Sequence, residues 1–184
     1  RPIKGTAARS DDPAEDAARA AALATDPKTR AENLMVVDLL RNDLARVCRP
    51  GTVRVPRLMA VETHATVHQL VTTVTGRLRE GAGVVDLLRA AFPGGSMTGA
   101  PKARSTDLLD QLEGRPRGIY AGTLGYLSAT GTADLAIVIR TAVVSPGPDG
   151  ASRLSVGGGG AIVLASDPHA EYEEMLAKVR SATR

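Results

Sequence analysis

One cysteine, no tryptophan and a single phenylalanine stand in 184 residues, and aromatics make up 2% of the chain. Cys48 alone excludes an internal disulfide and any cysteine-rich metal site. The scarcity of aromatic rings means the core is built from Leu, Val, Ala and Ile. It also removes the stacking platforms that single-stranded nucleic acid requires. No run of about 18 uninterrupted apolar residues suggests a membrane span, and no charged-then-apolar leader opens the chain. We therefore expect no nucleic-acid partner, no membrane partner and a cytoplasmic location.

What is present is a mild excess of base, 23 Lys+Arg against 20 Asp+Glu, with the arginines scattered. A small anionic substrate suits that balance better than a polyanion. Hydrophobic residues reach 43%, enough for a core in one ordinary domain. The chain opens Arg1-Pro2-Ile3-Lys4-Gly5-Thr6 without an initiating Met, and we expect it to be part of a longer polypeptide.

Residues 7–25 read as a loop followed by a polar helix. Asp26-Pro27 is a helix start, with the carboxylate as cap and Pro in the first turn, and Leu34, Val37, Leu40 and Leu44 keep helical spacing over 27–44. Residues 51–75 read as strand, loop and a mixed segment. A short helix is predicted over 84–91, a Gly- and Pro-rich loop over 92–102, and a helix over 102–113 ended by Gly114. Beyond it, 118–128, 133–144 and 154–164 read as three strands of an antiparallel meander, and Asp167-Pro168 starts a last helix. The class is α+β, a largely antiparallel sheet packed with helices.

Several residues could carry chemistry. Glu171, Glu174 and Lys178 lie at i, i+3 and i+7, on one helix face. Such carboxylates offer oxygen ligands to Mg²⁺, or else form a solvated face with a Glu–Lys pair. Glu32 is an ordinary first-turn acid by position. Lys4 is either a loop cation or a nucleophilic amine, and the latter needs desolvation or a neighbouring cation. Arg140 is the one charge in the otherwise apolar strand over 135–144. It calls for a partner, either a substrate carboxylate held bidentately or a protein carboxylate. Four glycines, 157–160, weaken a strand, so either another backbone packs there or backbone N–H groups meet an anion. His64, His68 and His169 do not form a zinc spacing.

The succession Pro2-Ile3-Lys4-Gly5-Thr6, residues 30–44 (RAENLMVVDLLRNDL), 92–102 (FPGGSMTGAPK), 117–122 (RGIYAG), 137–141 (IVIRT) and 167–174 (DPHAEYEE) resembles the chorismate-utilising enzyme family in motif identity and order. The resemblance covers nearly the whole chain. It implies the C-terminal portion of the anthranilate synthase component I-like fold as one catalytic domain over 1–184. The N-terminal half and a general-acid Glu then lie upstream. Lys at position 4 resembles the branch that makes 4-amino-4-deoxychorismate, where anthranilate-forming members typically carry Ala.

The resemblance further implies Mg²⁺ bound by Glu32 and Glu174 directly and by Glu171 through water. Lys4 is the implied covalent nucleophile. Tyr120, Arg140 and the backbone of Gly158 and Gly159 are implied to sit at the pyruvyl carboxylate, Ser96 near the ring and Lys178 at the ring carboxylate. Chorismate is the implied substrate, and a glutamine amidotransferase the implied source of ammonia. The alternatives are an anthranilate- or isochorismate-type member, or an inactive chorismate- or partner-binding fragment. Thr29 stands where the family often has an acid, and Gln69 where many members have His, with His68 beside it.

Overall fold

A computed structural model describes residues 1–164 and 166–182. It divides into two compact units, Arg1–Gly95 and Ser96–Arg184.

The first unit runs β1 (Ile3–Ala8), α1 (Pro13–Thr25), α2 (Pro27–Ala45), β2 (Arg54–Thr63), β3 (Val67–Thr75) and α3 (Val84–Ala91). Both long helices start on an Asp-Pro pair. The Asp12 carboxylate accepts from the Ala14 N–H at 2.9 Å and the Asp26 carboxylate from the Thr29 N–H at 2.7 Å. The three strands form one antiparallel sheet in the order β1-β3-β2. The central strand has the shelter of both helices, and Leu70, Val71 and Thr72 are buried on it.

A fully satisfied polar network ties helix to sheet. Asn33 of α2 donates to the Leu70 carbonyl at 3.1 Å and accepts from the Thr72 hydroxyl at 2.7 Å. The Thr72 oxygen accepts the Met59 N–H at 3.0 Å, where the β2–β3 register shifts. Asn33 and Thr72 are both wholly buried, so each of these bonds replaces water that cannot reach them.

The β1–β3 register also shifts, between Ile3 and Thr6. The bulge contains Lys4 and Gly5. Gly5 sits at φ 98°, and a Cβ there would strike the Thr29 methyl and, at 2.9 Å, Leu23. Only glycine lets β1 pass this close to the start of α2. Lys4, expected in a loop, is therefore on a strand.

The short helix α4 (Gly95–Thr98) interrupts the expected 92–102 loop. In the second unit α5 (Lys102–Glu113) ends on Gly114 at φ 60°, whose N–H donates to Asp110 at 3.1 Å. The strands are β4 (Thr123–Leu127), β5 (Ala133–Ile137), β6 (Ala142–Pro146) and β7 (Ser152–Val156), followed by α6 (Pro168–Ser181). Three long strands were expected, but these four short ones form two separate antiparallel ladders, β4–β5 and β6–β7. The expected strand over 133–144 breaks because Arg140 takes φ 49°, and pairing resumes only at Ala142. The expected strand over 154–164 stops at Val156, where the glycines begin.

The class is nonetheless α+β with antiparallel sheet throughout. No helix among the described residues is long and apolar enough to cross a membrane.

Candidate functional site

Strand and helix of the first unit bring Lys4 and Glu32 together. The bulge of β1 carries Lys4, and α2 carries Glu32 beside the locked Asn33. The Lys4 Nζ stands 3.6 Å from a Glu32 carboxylate oxygen, with the two side chains 21% and 30% exposed. The charge facing Lys4 is thus negative, where sequence reasoning asked for desolvation or a cation. Partial exposure also leaves both groups reachable by a ligand.

His68 is settled by the sheet. Its ring is buried against α1, with Nε2 2.9 Å from Asp16 and Nδ1 2.9 Å from the Thr63 hydroxyl. Asp16 also accepts the Arg9 Nε–H at 2.9 Å and the Ser10 N–H at 3.0 Å. The Arg9 guanidinium and the Ser10 N–H hold the Asp16 carboxyl far below the usual carboxylate range. The Asp16 carboxylate therefore accepts a hydrogen bond from Nε2–H, and Nδ1 of the neutral ring accepts from the Thr63 hydroxyl. His68 is a tie between α1 and β3. Alternation along β3 turns Gln69 to the opposite face.

In the second unit the glycine run has a steric cause. A Cβ on Gly157 would fall 2.5 Å from the Tyr120 Cβ, one on Gly159 2.8 Å from the Tyr120 hydroxyl, and one on Gly158 against a Val179 methyl. A Cβ on Gly160 would lie 3.2 Å from a Glu171 oxygen. The neighbours that require glycine are thus side chains of Tyr120 and α6, where another backbone was one expectation.

Tyr120, Gly158, Gly159, Glu171, Glu174 and Lys178 consequently belong to one neighbourhood. Lys178 donates to the Gly159 carbonyl at 3.5 Å and pairs with Glu174 at 2.6 Å. The Ser166 hydroxyl donates to Glu171 at 2.7 Å. Burial pushes the Tyr120 phenol up, so it keeps its proton and stays a hydrogen-bond donor at neutral pH. A phenol O–H and an ammonium in one neighbourhood suit a carboxylate ligand.

Ser96 lies in α4 and is partly buried, and Arg140 is exposed in the bend between β5 and β6. Among the described residues neither forms a hydrogen bond or ion pair with the residues of that neighbourhood. Among the described residues Arg140 forms no ion pair, so the protein-carboxylate partner expected for it as one alternative is not found there.

Two residues escaped sequence reasoning. Arg117 grips Glu113 through two bonds of 2.8 and 2.6 Å, donates to the Met97 carbonyl at 2.9 Å, and lies 5.9 Å from the Tyr120 ring centre. Its i+4 spacing from Glu113 was a legible signal. Ser166 had none, because its role depends on where α6 begins.

Glu32, Glu171 and Glu174 offer only hard oxygen donors, the chemistry that Mg²⁺ prefers. Glu171 and Glu174 are one turn apart on α6. Among the described residues no group of three metal-ligating side chains converges.

The sequence pattern of chorismate binding enzymes matches residues 1–184. Aminodeoxychorismate synthase from Streptomyces griseus is 55% identical over 184 residues, which is 100% of this chain and 25% of that protein. Aminodeoxychorismate synthase component 1 from Klebsiella aerogenes is 51% identical over 179 residues, 97% of this chain and 39% of that one. The crystal structure of anthranilate synthase component I from Streptococcus pneumoniae TIGR4 matches with a TM-score of 0.79 and 36% identity, over 96% of this chain and 41% of that one. This chain spans between a quarter and about two fifths of the length of these relatives.

Proposed function

The chain belongs to the family of chorismate-binding enzymes, and from that premise we propose that it is the chorismate-handling segment of an aminodeoxychorismate synthase. The reaction is chorismate plus ammonia to 4-amino-4-deoxychorismate plus water, on the way to 4-aminobenzoate. The ammonia comes from glutamine through an amidotransferase domain or subunit.

In this reading the phenol of Tyr120, the guanidinium of Arg140 and the backbone of Gly158 and Gly159 hold the pyruvyl carboxylate. Lys178 faces the ring carboxylate and Ser96 the ring. Glu32 and Glu174 would hold Mg²⁺ directly, and Glu171 would support it through water. The ion, when bound, supplies Lewis-acid polarisation of the ring carboxylate.

Lys4 does the covalent work. Its neutral amine forms a bond to C2, both ring double bonds shift, and the C4–oxygen bond breaks, the hydroxyl leaving as water with the proton that the newly bonded amine gives up. Ammonia then bonds to C4, both double bonds shift back, and the Lys4 amine leaves with a proton given up by the added ammonia. Two displacements of modest difficulty replace one hard one.

The observation that carries this reading is the placement of Lys4, on a strand and 3.6 Å from the carboxylate assigned to the ion. The identity to two aminodeoxychorismate synthases supports it. A second reading, anthranilate formation, draws on the likeness to anthranilate synthase component I. It must account for Lys where that branch typically has Ala. Chorismate, Mg²⁺ and ammonium supplied to the full-length protein test the choice, with products separated by mass spectrometry. 4-Amino-4-deoxychorismate is expected. Anthranilate would install the second reading, and no turnover would leave a binding-only role.

A further inference from the structure

We propose that Lys4 is an internal competitor of the divalent ion for the Glu32 carboxylate, so that ion loading and release of the Lys4 side chain are one event. This rests on the reading of Glu32 as an ion ligand and adds a regulatory step to it.

The geometry points this way because both members of the pair are placed by parts of the fold that cannot easily give. Lys4 sits in a bulge pinned to β3 on one side. On the other side Gly5 is wedged against Thr29 and Leu23. Glu32 precedes Asn33, which is locked to Leu70 and Thr72. The two charged ends are therefore held near each other by backbone placement, and Glu32 is the carboxylate with which Lys4 pairs.

The contact itself is loose. At 3.6 Å it exceeds hydrogen-bond length, and with 21% and 30% of the side chains exposed it is screened by water. Such a pair exchanges readily for a stronger partner.

A divalent ion is that partner. It binds a carboxylate oxygen at about 2.0–2.1 Å. Seated on the same Glu32 oxygen, it would put two positive charges within about 6 Å of the ammonium at its present position. The ion neutralises the negative charge that now faces Lys4 and repels the ammonium, so the loose pair gives way and the lysine is released as the ion arrives. The consequence is ordering: the amine is parked while Glu32 is without its ion, and is freed when the ion that also holds the substrate carboxylate is in place.

The test is Mn²⁺ binding to the full-length protein, followed by the electron paramagnetic resonance signal of free Mn²⁺, with no substrate present. Lys4→Met should tighten Mn²⁺ binding by roughly three- to thirtyfold, the range expected for removing one partly screened charge at this distance. Lys4→Gln serves as a second neutral variant and should act in the same direction. Glu32→Gln should weaken binding, and in that background Lys4→Met should no longer tighten it. Unchanged or weaker binding in both Lys4 variants, with Glu32→Gln still weakening it, overturns the competition but leaves Glu32 as a ligand. If Glu32→Gln leaves Mn²⁺ binding intact, the ligand assignment fails and the competition with it.

Discussion

In the first unit the central strand keeps Leu70, Val71 and Thr72 out of water, whereas in the second no residue of β4 is buried and Leu124, Tyr126 and Leu127 are each more than half exposed. The two regions differ little in apolar residue type. They differ in what covers the strands. Three strands with α1 and α2 packed on them make a protected sheet, while the strands of the two separate hairpins are mostly exposed. Val144 and Leu154, on β6 and β7, repeat the pattern. The comparison teaches that the Lys4–Glu32 pair rests on a scaffold that is complete locally. The cluster of Tyr120 and α6 is instead held by a few side chains inserted against glycines. The relatives carry further polypeptide, and we expect the β4–β7 strands to gain their cover from it.

Hydrogen exchange should show the largest contrast. Amides of Leu70, Val71 and Thr72 are expected to exchange at least about a hundredfold more slowly than those of Gly125 and Leu135 in this chain. Equal protection would erase the distinction between the units.

Asn33→Ala comes next. It strips partners from the buried Thr72 hydroxyl and Leu70 carbonyl, and should cost about 2–4 kcal/mol in urea unfolding of the first unit. A loss under about 1 kcal/mol would mean that water reaches the network. Gly157→Ala should cost about 1–3 kcal/mol, because the new methyl meets the Tyr120 ring, and a thermal melt of the second unit reads it.

The Asp16 tie is a matter of pH. Its folded-state pKa lies far below the unfolded value of about 3.9, so its contribution is complete above that value and disappears as the pH falls below it. Acid titration followed by circular dichroism should show wild type losing stability more steeply below about pH 4 than Asp16→Asn. The smallest effect belongs to the open hairpins. Val144→Thr should change stability by no more than about 0.5 kcal/mol, since the side chain is 67% exposed.

Much of the fold was legible where a local device sets it. The Asp26-Pro27 and Asp167-Pro168 caps, the 84–91 helix and the Gly114 stop all fall where the residues predict, because capping and left-handed glycine are decided within a few residues. The failures are non-local. Pairing with β3 makes residues 3–8 a strand, and that partner lies some 65 positions away. The break at Arg140 needs a positive φ that no motif announces.

The site shows the same division. The spacing of Glu171, Glu174 and Lys178 was readable from helix periodicity. That the glycines serve Tyr120, and that Arg117 grips Glu113 against the Tyr120 ring, depends on turns whose course only the structure supplies. His68 was undecidable in sequence because the choice between it and Gln69 is a question of strand register, which one residue of slip reverses.

Whether Lys4 bonds to the substrate is the point on which the proposed chemistry turns. The full-length protein, given chorismate and Mg²⁺ without ammonia, should gain the mass of chorismate less one water. Peptide mapping should place that gain on Lys4 and find none in Lys4→Ala. Aminodeoxychorismate formation at an undiminished rate by Lys4→Ala, with no adduct on the wild-type lysine, would contradict it.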